Sequence, residues 1–291
     1  MQKRRMLVTG GSGYLGDWVV RLSKTRWDVT ATFFRRQGEQ DGVTWRRLDV
    51  RDADAVSLLI NAVKPDIIVH TAAANPGPKP DYVGVNVRGT RHVAQASARV
   101  DARLVHLSTD VIFDGEEAPY VESDAPHPIT AYGRSKARAE AEVRASDAEA
   151  VMVRTSLIYG WRPRLDRQTR WVLDGLRSGE PPHLFIDEFR CPIWVESLAA
   201  ALLELAERPT NPTVLHVAGA QRLSRYDFGV RLARFHGVDP ATIIPTSSRE
   251  SGLNRPLDCA LDCLRAKALL ETPLPGVDDV LGARMPTAPK P

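Results

Sequence analysis

The chain has 291 residues, 43% of them hydrophobic and 26% charged, with a formal net charge of +3 at pH 7. That length buries a sizeable core in one large domain, or in a main domain with a smaller lobe. Basic and acidic residues are interspersed, so nucleic acid is not an implied partner. No segment is apolar enough to span a bilayer, which leaves a soluble, cytoplasmic protein without a membrane partner as the expectation.

The N-terminus, MQKRRMLVTGG, is basic, but its apolar run stops after three residues, too short for a signal peptide. The run MLVT (6–9) reads as a first strand and passes directly into TGGSGYLG. Gly10, Gly13 and Gly16 are spaced G-x-x-G-x-x-G, and a helix is predicted over 14–23. A first glycine permits a tight turn, a second lets a pyrophosphate approach the backbone, and a third lets helix and strand pack closely. The helix start, with Tyr14 and Leu15, offers free N–H groups and a favourable dipole to phosphates. Strand before, helix after and a second strand about 20 residues on make this a dinucleotide-binding expectation.

The second strand, DVTATFF (28–34), ends in Phe33, Phe34, Arg35 and Arg36, with no acid to hold a ribose 2′-hydroxyl. Two guanidinium groups suit a 2′-phosphate, which favours NADP(H) over NAD(H); solvated surface arginines are the plain alternative. Asp49 and Val50, in the LDV that closes the next strand, are candidates for the adenine. Asp49 is equally a candidate cap for a helix beginning near Asp52. That helix is predicted over 52–63.

Next comes DIIVHTAA (66–73), whose Ala72 and Ala73 either leave room for a cofactor or simply pack. Helix 84–100, strand RLVHLST (103–109), helix 132–147 and strand AVMVRTSLIYG (150–160) follow. Nearly continuous β-branched runs suit a parallel sheet covered on both faces, and their alternation with helices predicts βαβ units. The fold class is therefore α/β: a doubly wound parallel sheet of the Rossmann kind with a smaller C-terminal lobe.

Beyond Gly160 the pattern is less regular, with helices predicted near 165–178, 196–207 and 224–236 and a strand over 213–219. Prolines 181, 182, 192, 209 and 212 punctuate it. The organisation expected is 1–160 as the dinucleotide-binding core, 161–285 as mainly a substrate-binding lobe interleaved with the last sheet strands, and 286–291 as a disordered tail. Three cysteines, Cys191, Cys259 and Cys263, argue against a disulfide framework. Cys259 and Cys263 lack further ligands for a zinc site and read as small buried side chains.

In TAYGRSKARAE (130–140), Tyr132 and Lys136 stand four residues apart at the start of a predicted helix and so share one face. TGGSGYLG, STDVIFDG (108–115), YVESD (120–124) and AYGRSK (131–136) together resemble an extended short-chain dehydrogenase/reductase. Within it, the similarity is greatest to the dTDP-4-dehydrorhamnose reductase family, and RTSLIYG (154–160), DEFRCP (187–192) and RPLD (255–258) continue it over nearly the whole chain.

The resemblance implies an enzyme with a catalytic triad of Thr109, Tyr132 and Lys136. Hydride delivered to a carbonyl carbon leaves charge on its oxygen, which a phenol can protonate; its pKa of about 10 is lowered by a nearby ammonium. Lys136 in the family also holds the nicotinamide ribose, and Thr109 orients the carbonyl. Asp110 either contacts substrate or hydrogen-bonds the loop. Tyr159, Asp187 and Arg190 fall where the family's substrate lobe meets the cleft, and Arg190 is a candidate for a diphosphate or for a surface ion pair.

Two departures bear on the substrate. WRPRLDRQTRW follows the RTSLIYG motif where the reductases carry Asn-Phe, and Tyr14 stands where they often have Gln. The resemblance implies an NADPH-dependent reductase of a keto group on a nucleotide-linked sugar, and members often dimerise, making a homodimer an expectation. A 4,6-dehydratase needs Thr-Asp-Glu where this chain has Thr109, Asp110 and Val111. The alternatives are a sugar-nucleotide epimerase, which usually retains NAD, and a non-catalytic NADP-binding regulatory subunit similar to the methionine adenosyltransferase β subunit. No ligand set for a metal is recognisable.

Overall fold

A computed structural model describes residues 3–283; the tail expected at 286–291 lies outside them. Seven parallel strands form one sheet: β1 (Arg5–Thr9), β2 (Asp28–Phe33), β3 (Thr44–Arg47), β4 (Ile67–His70), β5 (Arg103–Leu107), β6 (Ala150–Arg154) and, after four short strands outside the sheet, β11 (Val214–His216). Their spatial order is β11-β6-β5-β4-β1-β2-β3, so the direction of winding reverses between β4 and β1. The α/β expectation is borne out.

Alternate residues along a strand face opposite sides, and both sides are covered. Met6 and Val8 of β1 enter one apolar cluster while Leu7 enters another; Val151 and Val153 of β6 are likewise opposed to Met152. On the first side lie α1 (Tyr14–Ser23) and, from the second half of the chain, α6 (Val195–Glu207). On the other lie α2 (Ala53–Val63), α3 (Thr90–Arg99) and α4 (Ala131–Arg144).

Two predicted elements are interrupted. The helix expected over 84–100 begins as a π-helical stretch, Tyr82–Gly89, and becomes α3 only at Thr90. Asp81 caps that stretch by accepting from Gly84 N at 2.7 Å. The strand expected over 150–160 stops at Arg154, because Ser156 turns its hydroxyl to Asp110 at 2.6 Å. The chain resumes as β7 (Ile158–Tyr159), which pairs instead with β10 (Ile193–Trp194).

The second half otherwise contributes α5 (Arg167–Ser178), α7 (Arg225–Phe235), α8 (Leu264–Leu269) and α9 (Val277–Ala283). Two further ladders pair β8 (His183–Phe185) with β13 (Ile244–Thr246), and β9 (Phe189–Arg190) with β12 (Leu223–Ser224). All three cysteines are free and buried.

Candidate active site

At the C-terminal end of β1, Gly10 adopts φ +71°, and its N–H donates to Thr32 Oγ1 at 3.1 Å. A Cβ there would lie 2.7 Å from the Ala72 backbone, and one at Gly16 would lie 2.2 Å from Gly10 O. Gly13 N donates to Gly10 O at 2.8 Å, closing the turn, and Gly13 caps α1 without a side-chain hydrogen bond. The helix start therefore keeps N–H groups available for an anion. Leu15 is buried in the core, so only its backbone can face a ligand. Tyr14 places its hydroxyl against Gly160, where a Cβ would be 2.7 Å away. This cradle fits a dinucleotide pyrophosphate, and Ala72 and Ala73 stand on the loop that closes over Gly10.

Beyond β2, Arg35 and Arg36 are exposed. Arg36 pairs with Glu39 at 3.0 Å, whereas Arg35 makes no ion pair among the described residues and lies over the Phe34 ring at 5.9 Å. Arg51, a third arginine that the sequence reading passed over, lies over the same ring at 5.6 Å. It grips Asp49 at 2.7 Å and Asp81 at 3.2 Å. That hydrogen bond holds the Asp49 carboxyl below the usual range. Asp49 is not the helix cap: Asp52 takes that place, accepting from Ala55 N at 2.9 Å. Val50 is buried, against Gly89.

Thr109 and Asp110 follow β5 after Ser108, and Thr130 caps α4 by accepting from Gly133 N at 3.0 Å. Tyr132 thus sits in the first turn of α4 and Lys136 one turn on. The Tyr132 phenol is pushed up by burial, then by the nearby Asp110 and Tyr82, with Thr109 opposing. The Tyr82 ring lies 5.8 Å from that of Tyr132. Lys136 is buried; its Nζ donates to Leu107 O at 2.6 Å, and burial lowers it to about 8, with Glu140 opposing. The expectation that the ammonium lowers the phenol is therefore corrected for this structure: Lys136 bonds to the strand, and burial governs Tyr132.

Behind Lys136, His70 and His106 stack at 5.4 Å. His70 is lowered to about 3, by burial and then by the Lys136 charge, and His106 is driven down by the same causes and by His70. Both are neutral. Asp110 is buried, which raises its carboxyl despite hydrogen bonds from Ser156 at 2.6 Å and Thr109 at 3.2 Å and the Arg190 charge at 3.7 Å.

Among the softer candidates, Arg190 is almost fully buried and donates to the carbonyls of Phe189, Leu257 and Pro256 at 2.6, 3.3 and 3.0 Å. It also pairs with Glu188 at 3.2 Å. Those bonds hold it inside the fold rather than on a surface. Tyr159 is fully buried, edge-on to Trp194 and Phe228 at 5.6 and 5.3 Å, not on an open cleft wall. Asp187 binds the 247–249 loop, accepting from Ser248 N at 2.6 Å and Ser247 Oγ at 2.8 Å.

Sequence reading missed two features. Asn86, in the π-helical stretch, clamps Ala74 through Ala74 N at 2.7 Å and Ala74 O at 3.1 Å, and donates to Ser135 Oγ at 2.9 Å. It ties the loop after β4 to the helix bearing Tyr132 and Lys136. The buried Glu188 gathers Arg255 at 2.6 Å, Arg190 at 3.2 Å and Arg225 at 3.9 Å. The "DEFRCP" stretch supplied Glu188 and Arg190 and the "RPLD" stretch supplied Arg255, but no local spacing joins the two stretches. Among the described residues, no group of three or more His, Cys, Asp or Glu is arranged to hold a metal ion, and no helix is long and apolar enough to cross a membrane.

The family model of the RmlD substrate binding domain matches residues 4–283, nearly the whole chain. The chain belongs to that family.

Among solved members of similar fold, a hypothetical dTDP-4-dehydrorhamnose reductase from Sulfolobus tokodaii is 31% identical. It superposes with a TM-score of 0.80 over 95% of this chain and 98% of its own. A dTDP-4-dehydrorhamnose reductase from Bacillus anthracis, in complex with NADP, has a TM-score of 0.83, with 24% identity over 97% of this chain and 98% of its own. Methionine adenosyltransferase 2 subunit beta from Rattus norvegicus is 28% identical over 282 residues, 91% of this chain and 82% of that protein. The resemblance read from the glycine loop, STDVIFDG and AYGRSK is borne out: fold and domain are dTDP-4-dehydrorhamnose reductase-like. In this RmlD-family chain, the glycine loop, Thr109 and the Tyr132/Lys136 helix all meet at the C-terminal edge of the sheet. Open α/β sheets take their ligands at that edge.

Proposed function

We propose that the protein is an NADPH-dependent reductase of a keto group on a nucleotide-linked sugar, with Thr109, Tyr132 and Lys136 as its catalytic residues. The observation that carries this is the placement of Tyr132 beside Thr109, with Lys136 one turn on in α4 and bonded to the end of β5. A bound reduced nicotinamide supplies the hydride. Tyr132, kept protonated by burial and by Asp110, gives its proton to the oxygen on which charge develops. Thr109 orients that oxygen. Lys136, titrating near 8, replaces the proton Tyr132 has given.

NADP over NAD is supported by Arg35, the guanidinium at the end of β2 that no carboxylate neutralises among the described residues, and by the complex of the Bacillus anthracis neighbour with NADP. In this reading 1–160 holds the dinucleotide and 161–285 is mainly a substrate-binding lobe interleaved with the last sheet strands, and the substrate's diphosphate meets the excess positive charge of Arg225 and Arg255 around Glu188. A homodimer is part of the proposal, with sedimentation as its test.

The deciding experiment incubates the protein with NADPH, and separately NADH, and dTDP-4-keto-6-deoxy-L-mannose, following the reduced nicotinamide band. Turnover with NADPH that disappears in Tyr132→Phe supports the reading; tight NADPH binding without turnover removes the substrate. A second reading, a regulatory subunit, draws on the 28% identity to methionine adenosyltransferase 2 subunit beta. A stable complex with a methionine adenosyltransferase catalytic subunit, without NADPH turnover, would favour it.

A further inference from the structure

WRPRLDR (161–167), where the chain departs from the reductase pattern, is anchored at its base. Asp166 N donates to Gly160 O at 3.0 Å, and the Asp166 carboxylate accepts from Gly160 N at 3.2 Å. The same carboxylate caps α5 through Thr169 N at 2.9 Å. Trp161 packs on Trp194 and Phe235 at 4.3 and 4.4 Å.

From that base the segment reaches three elements on the dinucleotide side. Trp18 Nε1 of α1 donates to Arg162 O at 3.0 Å. Arg164 donates to Ser12 O, within the glycine loop, at 3.3 Å. Arg167 donates to Pro76 O, on the loop after β4, at 2.7 Å. Ser12 follows β1 and Pro76 follows β4, the two strands between which the winding of the sheet reverses. The segment therefore bridges the crevice at the switch point, where doubly wound sheets bind ligands.

Its charge is uncompensated. Arg162, Arg164 and Arg167 are exposed and make no ion pair among the described residues, while Asp166 is buried and turned toward Gly160. The start of α1 offers a pyrophosphate only N–H groups and the partial charge of a helix dipole. A guanidinium beside Ser12 adds a full charge and hydrogen-bond donors matched to phosphate oxygens.

We propose that residues 161–167 form a strap across the dinucleotide crevice, in which Arg164 binds the pyrophosphate and Arg167 latches the strap to the loop after β4. This rests on the dinucleotide reading above. The full-length chain and its Arg164→Ala, Arg164→Lys and Arg35→Ala variants would be titrated with NADP⁺, NAD⁺ and adenosine 2′-monophosphate, the last having no pyrophosphate.

Arg164→Ala is expected to weaken NADP⁺ and NAD⁺ about equally, roughly tenfold, with adenosine 2′-monophosphate unchanged. Arg164→Lys recovers part of the loss, and Arg35→Ala weakens NADP⁺ and adenosine 2′-monophosphate but spares NAD⁺. Arg167→Ala speeds NADP⁺ dissociation. Unchanged dinucleotide affinity in Arg164→Ala, or an equal loss for all three ligands, overturns the role of Arg164. A wild-type chain that binds neither dinucleotide overturns the dinucleotide reading itself and the strap's role with it, a result distinct from the other two.

Discussion

Lys136 Nζ donates to the carbonyl oxygen of Leu107 at 2.6 Å, tying the middle of α4 to the end of β5. Burial lowers its ammonium to about 8, against the opposing charge of Glu140. Because kcat/KM reports groups of the free enzyme, it is expected to fall as pH rises through about 8, where Lys136 loses its proton. A profile flat to pH 10 would mean that the ammonium is not the group required.

Tyr132→Phe removes the proton donor and leaves the ring. Turnover is expected to drop by about 10²–10⁴-fold, with NADPH affinity nearly unchanged in a fluorescence titration. Parallel loss of binding would make Tyr132 a cofactor ligand before it is an acid.

Gly16→Ala puts a methyl 2.2 Å from Gly10 O, a backbone atom that cannot swing away. The turn must open, at a cost of about 1–3 kcal/mol. Dinucleotide binding is expected to fall more steeply than urea stability, because the displaced N–H groups are those proposed to face the phosphates. Equal NADP⁺ affinity in variant and wild type would sink the assignment of this loop.

Arg154 and Glu140 are buried together, with guanidinium–carboxylate distances of 3.1 and 3.0 Å. Burial raises the Glu140 carboxyl, but Arg154 and Arg144 more than offset it. Arg154→Met leaves a buried carboxylate without its main partner and is expected to cost about 3–5 kcal/mol in urea unfolding at pH 7. In the variant, burial dominates and the folded-state pKa rises above the unfolded one. The deficit should therefore narrow as pH falls toward 5. A deficit that widens there would contradict the pairing.

Arg35→Ala removes the unpaired cation at the end of β2. The ratio of kcat/KM for NADPH over NADH is expected to fall about tenfold, almost wholly through NADPH. A ratio that does not move would shift 2′-phosphate recognition to Arg36 or Arg51.

Where burial on both faces dictates the sequence, the residues spoke plainly: Met6, Leu7 and Val8, or Val151, Met152 and Val153, read as strands because neighbours on both sides of the sheet demand apolar side chains. β3 left a weaker trace, since Thr44–Arg47 is a mostly exposed edge strand that needs no apolar run. The Tyr132–Lys136 pair was legible because a helix makes four-residue neighbours. The Asn86–Ser135 and Arg255–Glu188 contacts were not: the partners lie 49 and 67 residues apart, and no local period encodes such contacts. Arg190 and Tyr159 carried the right motif, yet packing turned both inward.

β11 has a consequence for how this chain is made. It is the outer neighbour of β6, and His216 N also donates to Glu122 Oε1 at 3.0 Å. Until about 60 further residues leave the ribosome, β6 is an open edge offering unpaired N–H and C=O groups to any other chain. Fragments ending near residue 160 should therefore associate during expression, and chaperone dependence should peak while β6 waits for its neighbour.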